Sequence, residues 1–255
     1  MNYQTLKVRL DEQICFIQIH RPDDNNTIND QLVMDFKDII EKCKKNSAII
    51  VLEGLPKVFC FGADFKGMHT AITQGKPALQ DPGAMYDIWK ELATGPFITI
   101  AHVRGKVNAG GIGFAAACDL VLADQTAVFS LSELLFGVFP ACVLPFLIKR
   151  IGFQKAHYIT LMTQPISVEK AHSWGLVDAY EEQSENLLRK HLLRLRLLSK
   201  TAITSYKSYL NKLHKSLEEA KDTAITANLQ IFSDPSNLEK IVKYVETGQF
   251  PWEKY

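Results

Sequence analysis

Two glycine-bearing turns hold the residues of this chain best suited to chemistry. The first runs Val58-Phe59-Cys60-Phe61-Gly62-Ala63-Asp64-Phe65, the second Gly105-Lys106-Val107-Asn108-Ala109-Gly110-Gly111-Ile112-Gly113. Both read as turns between an apolar strand and a helix. Glycine lets a main-chain N–H approach a ligand closely, and a helix starting just beyond adds its positive end. Two such N–H groups converging on one oxygen form an oxyanion hole. Either turn alone can equally serve only to pack a helix onto a strand. A dinucleotide site is a poor rival, because residues 105–113 do not spell GxGxxG and no acidic residue follows at the required spacing. The phosphate-binding pattern GxxxxGK[ST] is absent too. His102, His157 and His172 form no metal-ligand constellation and read as structural or surface residues.

The elements that must position these turns alternate between strand and helix. Val8, Leu10, Ile14, Phe16 and Gln18 alternate as in a hairpin, with Asp11-Glu12-Gln13 as its turn and one face in common. From an N-cap at Asn29 or Asp30, Leu32, Val33, Phe36, Ile39, Ile40 and Cys43 recur at helical spacing. Lys42, Lys44 and Lys45 suit the negative end of that helix. Ala48 to Leu52 is a short apolar run of the kind buried in a parallel sheet. A helix over 84–93, an apolar run over 97–103, the second turn, a small-residue helix and the run 120–123 repeat the logic. This alternation predicts an α/β architecture. Residues 184–247 read as almost wholly helical, and the loop 73–82 reads as mobile. No Pro-, Gly- or Ser-rich linker divides the chain, which predicts a single domain over 1–255.

Composition narrows the function classes. Of the 255 residues 47% are hydrophobic and 22% charged, enough for a sizeable core, and the net charge of +1 argues against a bulk-charge nucleic-acid binder. No apolar run reaches the roughly 20 residues of a membrane span, and no secretory signal is visible. Cysteines 15, 43, 60, 118 and 142 are odd in number and scattered, hence expected to be buried thiols. The expectation is a cytoplasmic protein without metal or membrane contact.

Taken in order, FCFGADF, ITIAHVRGKVNAGGIGFAAACDLVLAD, FSLSELLFGVFPA and ISVEKAHSWGLVD resemble the crotonase (enoyl-CoA hydratase/isomerase) superfamily. The resemblance covers about residues 5–180. It implies a crotonase fold of repeated ββα units over about 1–183, with a helical region over about 184–255 that covers a neighbouring subunit. It also implies a homotrimer or hexamer. Ala63 and Gly110 match the two oxyanion-hole positions that bind a thioester carbonyl. Two-glutamate hydratases of the family carry one glutamate where this chain has Gly113; the other position is matched by Glu133. A glutamate just before the apolar run 134–136 is expected to be partly buried, with a raised pKa suited to proton transfer. Asp64 is a weaker candidate for a second carboxyl and a good helix cap.

FCFGADF, NAGGIGF, SLSELLFGVFPACVLPFLI and the ending GQFPWE resemble, more closely, the dehydratase-type crotonases of polyketide β-branching cassettes. That implies dehydration of 3-hydroxy-3-methylglutaryl-ACP to 3-methylglutaconyl-ACP, with no cofactor and the substrate carried on the phosphopantetheine of an acyl carrier protein, or on CoA. Asn108 and Cys142 are further substrate-binding candidates. The decarboxylating partner in such cassettes carries a Tyr and a Lys four apart, as at Tyr86 and Lys90, so these are substrate-binding candidates as well. It also uses a C-terminal histidine, and this chain has none beyond His214. Decarboxylase, CoA-dependent hydratase or isomerase, and non-catalytic scaffold remain the alternatives. Residues 186–217 carry Arg189, Lys190, Arg194, Arg196, Lys200, Lys207, Lys212 and Lys215 and no acid. That stretch suits an acidic carrier protein, a solvated face or a subunit contact, as does the smaller group Lys149, Arg150 and Lys155.

Overall fold

A computed structural model describes residues 2–75 and 81–253. Residues 76–80, half of the loop expected to be mobile, lie outside the described residues. The chain opens with a hairpin, β1 (Leu6–Asp11) and β2 (Ile14–Ile19), turning through Glu12 at φ 52°. The register sets Val8 opposite Ile17 and Leu10 opposite Cys15. Paired residues share a face, so Val8 and Leu10 do not lie with Ile14 and Phe16 as the alternation suggested. The reason is that β2 sits between β1 and a third strand with both its faces covered, so apolar residues fill it continuously and periodicity is lost.

Helix α1 (Asp30–Asn46) is capped by the Asn29 side chain, which accepts from Leu32 N–H, and it buries Leu32, Phe36, Ile39, Ile40 and Cys43. The chain then alternates between two sheets. Strand β3 (Ile49–Glu53) is followed by β4 (Val58–Cys60), α2 (Phe65–Thr73) and α3 (Pro82–Thr94). Strand β5 (Ile98–Val103) is followed by β6 (Lys106–Asn108) and α4 (Gly110–Ala117). Strand β7 (Leu120–Asp124) is followed by β8 (Val128–Ser130) and a 3-10 turn over Glu133–Phe136. Three times, therefore, a strand of the large sheet feeds a strand of the small sheet and then a helical turn. This is the repeated ββα architecture that the motifs implied.

Helices α5 (Leu144–Ile151) and α6 (Phe153–Met162), strand β9 (Ile166–Ser167), helix α7 (Val168–Ser173) and strand β10 (Ala179–Glu181) complete the core. The large sheet runs β1-β2-β3-β5-β7-β10 and the small one β4-β6-β8-β9. Four helices close the chain, α8 (Ser184–Leu195), α9 (Lys200–Leu213), α10 (Ser216–Ser233) and α11 (Pro235–Thr247). One face of the large sheet packs on α1, α3 and α4; on the other, Leu187, Leu188, Leu192 and Ile203 cover Ile14, Phe16, Val51, Ile100 and Leu122. Burying each such side chain contributes about 1.5–3 kcal/mol, which stabilises the platform beneath the site. All five cysteines are buried and unpaired.

Candidate active site

The three sequence motifs meet because β4, β6 and β8 are adjacent parallel strands. Neighbouring strands lie about 5 Å apart, so residues leaving their C-terminal ends open onto one space. Strand β4 delivers Gly62 and Ala63, β6 delivers Ala109 and Gly110, and β8 leads to Glu133. Asn108 ties them together. Its Nδ2 donates to Phe61 O (3.4 Å) and Ser132 Oγ (3.2 Å), and its Oδ1 accepts from Ser130 Oγ (2.7 Å). All of them except Gly62 line a cavity of about 750 Å³.

Two N–H groups stand free there. Ile28 N–H donates to Gly62 O (2.8 Å) and Asp64 N–H to Ile28 O (3.1 Å), which leaves Ala63 N–H on the cavity side. Gly62 adopts φ 90°, and a Cβ there would meet Ala109 Cβ at 2.5 Å and Gly110 N at 3.2 Å, so the two turns touch at a place only glycine fits. Ala109 N–H donates to Ser130 O, and its own φ of 51° swings the chain into α4 so that Gly110 starts the helix. Among the described residues no protein group accepts from Ala63 or Gly110 N–H.

Glu133 begins the 3-10 turn and is buried. Burial pushes its pKa up to about 7, although the main-chain N–H groups of Glu133 and Ser132 pull the other way. Its Oε2 has no hydrogen-bond partner among the described residues. The carboxyl is therefore available in both protonation states near neutrality, the condition for general acid–base work.

The remaining candidates separate clearly. Asp64 lines the cavity, but Gly67 N–H donates to its Oδ1 (2.9 Å) and Arg21 Nη2 to its Oδ2 (3.0 Å). It caps α2 and anchors the arginine, as its capping alternative had it. Cys142 lies on the wall, with burial pushing its pKa up to about 12. Tyr86 and Lys90 do share a face of α3, but that face meets α10: Tyr86 donates to Leu217 O (2.6 Å) and Lys90 pairs with Glu218. Neither lies on the cavity wall. At Gly113 a Cβ would stand 2.6 Å from the Trp89 ring, so the indole fills the place of a longer side chain. Sequence reading missed Trp89, because its helical spacing marks it only as core.

The helical tail packs over its own chain. Asn228, Phe232, Tyr244, Val245 and Phe250 line the same cavity, and Phe136 packs edge-on to Tyr244 and tilted against Phe250, with ring centroids 5.1 and 6.0 Å apart. His69 of α2 pairs with Glu246 of α11. The basic stretch is partly neutralised: Lys207 pairs with Asp119, Arg196 with Asp11 and Lys190 with Glu181. In the smaller group, Arg150 pairs with Asp178 and donates to Cys118 O. Among the described residues no His, Cys, Asp and Glu cluster could hold a metal ion. None of the helices there is long and apolar enough to cross a membrane.

The family model for enoyl-CoA hydratase/isomerase matches residues 9–255. Bacillaene synthase dehydratase PksH of Bacillus subtilis is 56% identical over 254 residues, 99% of this chain and 98% of that protein. The crystal structure of the Bacillus subtilis pksH protein superposes with a TM-score of 0.96, at 56% identity, over 98% of this chain and 100% of that one. More distantly, hydroxycinnamoyl-CoA hydratase-lyase of Pseudomonas fluorescens is 28% identical over 210 residues, 76% of each chain.

Proposed function

The chain belongs to the enoyl-CoA hydratase/isomerase family, and within it we propose a dehydratase that converts 3-hydroxy-3-methylglutaryl-ACP to 3-methylglutaconyl-ACP in polyketide β-branching. The observation that carries this reading is one buried, protonatable carboxyl, Glu133, beside two free N–H groups and no second unengaged carboxyl on the described wall. Similarity to a protein named bacillaene synthase dehydratase, whose solved structure is described as a polyketide biosynthesis enoyl-CoA hydratase, supports it.

The thioester oxygen accepts from Ala63 and Gly110 N–H, which stabilises the enolate formed when C2 loses its proton. Ionised Glu133 takes that proton. The enolate pair then forms the C2–C3 double bond as the C3–O bond breaks, and Glu133 returns the proton to the departing hydroxide, which leaves as water. A single carboxyl can do both if elimination is syn. Lost contact between the cavity and the Tyr86–Lys90 face counts against decarboxylation, and the indole at Gly113 against two-glutamate hydration.

An acidic carrier protein is the proposed partner. Arg189, Arg194, Lys212 and Lys215 have no carboxylate partner among the described residues and remain for docking. Leu193, Leu197, Tyr206 and Tyr209 stay exposed around α8 and α9, which supports assembly into a trimer or hexamer. Mass spectrometry of 3-hydroxy-3-methylglutaryl-ACP incubated with the protein tests the reaction. Loss of water is expected; an unchanged substrate, or loss of carbon dioxide from 3-methylglutaconyl-ACP, would refute it.

A further inference from the structure

Among the described residues three buried side-chain polar atoms lack a hydrogen-bond partner: Glu133 Oε2, Trp89 Nε1 and Gln249 Oε1. Glu133 is the proton carrier of the proposed reaction. Trp89 lies on the same cavity wall, is 3% exposed, and has no role in that account. A buried donor without an acceptor costs folding free energy, and native interiors rarely keep one without cause.

The ring cannot turn away easily. It stands edge-on to Phe114 and Phe146, with centroids 5.9 Å from each. Its Cε2–Cζ2 edge, which adjoins Nε1, is the part that a Cβ on Gly113 would strike at 2.6 Å, and Cζ2 lies 3.7 Å from where a Cβ on Gly110 would stand. This edge of the indole therefore lies against α4 between Gly110, which carries the second oxyanion donor, and Gly113 one helical turn on. Phenylalanine would keep part of the aromatic packing; tryptophan adds the ring that fills the space at Gly113 and the donor.

An indole N–H is neutral and donates without accepting, so it cannot serve as a base, and it suits one acceptor oxygen. The thioester oxygen is already held by Ala63 and Gly110. A carboxylate needs more than one neutral donor to offset its desolvation. The C3 oxygen, two carbons along the acyl chain from the held carbonyl, remains. We infer that Trp89 Nε1–H is a substrate-binding donor that holds the C3 oxygen of the acyl group while Glu133 moves the proton. The identity of that oxygen rests on the dehydratase reading.

The test follows the indole N–H resonances of Trp89, Trp174 and Trp252, with the backbone amides, in uniformly 15N-labelled Glu133→Gln protein, which is expected to bind without turnover. Two ligand pairs are added: 3-hydroxy-3-methylglutaryl- and 3-methylglutaryl-pantetheine, then 3-hydroxybutyryl- and butyryl-CoA. Trp89→Phe assigns its resonance; if that variant does not fold, Trp174→Phe and Trp252→Phe assign it by elimination. The Trp89 indole proton is expected to move downfield with the hydroxyl-bearing member only. In protein that keeps Glu133, Trp89→Phe should lower kcat/KM on the hydroxyacyl substrate roughly tenfold, about the worth of one hydrogen bond. A shift of equal size with both members of a pair overturns the assignment, as does a silent indole while the Ala63 and Gly110 amides move. A selective shift in the butyryl pair without binding of the methylglutaryl pair keeps the donor and refutes the methylglutaryl substrate. Water loss with a silent indole does the reverse, and no binding by either pair overturns both.

Discussion

Replacing Glu133 by glutamine should make the protein more stable and nearly inactive at once. Burial holds this carboxyl at about 7 against an ordinary 4.5. The folded protein thus keeps a proton that the unfolded chain has already lost. That contribution to stability is fully present below about pH 4.5 and is lost as pH rises through about 7. The difference between the two pKa values corresponds to about 3 kcal/mol. Glutamine cannot ionise, so at pH 8 the variant escapes this cost, less about 1 kcal/mol for an amide N–H left unpaired. A net gain of about 2 kcal/mol in a chain of this size raises Tm by about 5 °C. At pH 4.5 the gain should vanish. Activity should fall at least about 100-fold, the low end for general acid–base catalysis, and wild-type kcat/KM should rise with pH to half its plateau near pH 7. Thermal denaturation at both pH values, alongside the pH–rate profile, checks this. Near-normal turnover, or a Tm difference independent of pH, would refute the reasoning.

Gly110→Val should lose activity by about 3 kcal/mol or more of transition-state stabilisation, because its Cβ meets Ile28 Cδ1 at 2.7 Å and displaces the donor; turnover in a folded variant would remove Gly110 from the site. Gly113→Ala should cost about 1–3 kcal/mol of stability through overpacking against Trp89, read by urea titration. Tyr86→Phe and Lys90→Ala should each leave dehydration within a few-fold of wild type, since their partners are Leu217 and Glu218; collapse in both would restore the decarboxylase-like face. Reversing Arg189 and Arg194 to Glu should lower kcat/KM for ACP-bound but not pantetheine-bound substrate, and the difference should shrink with salt.

How much of this was legible in the sequence follows from element length. Helix α1 was readable from its cap to its last lysines because its long apolar face has one period. The small sheet was not, since β4, β6 and β8 have three residues each and β9 has two, too short for any alternation to register. Yet those strands are what bring Ala63, Gly110 and Glu133 together, so the site was found through motifs and not through elements. Tyr86 and Lys90 show the converse: their spacing correctly places them on one face of α3, but nothing local says that α10 covers it. The same holds for Trp89, whose importance comes from a glycine 24 positions on.

Because Phe232, Tyr244 and Phe250 roof the cavity whose floor the same polypeptide supplies, the tail and the Glu133 of one centre come from one copy. The consequence is genetic. Two alleles damaged at different points, one at Glu133 and one in the tail, cannot exchange their intact parts, so a cell expressing both should show no intragenic complementation.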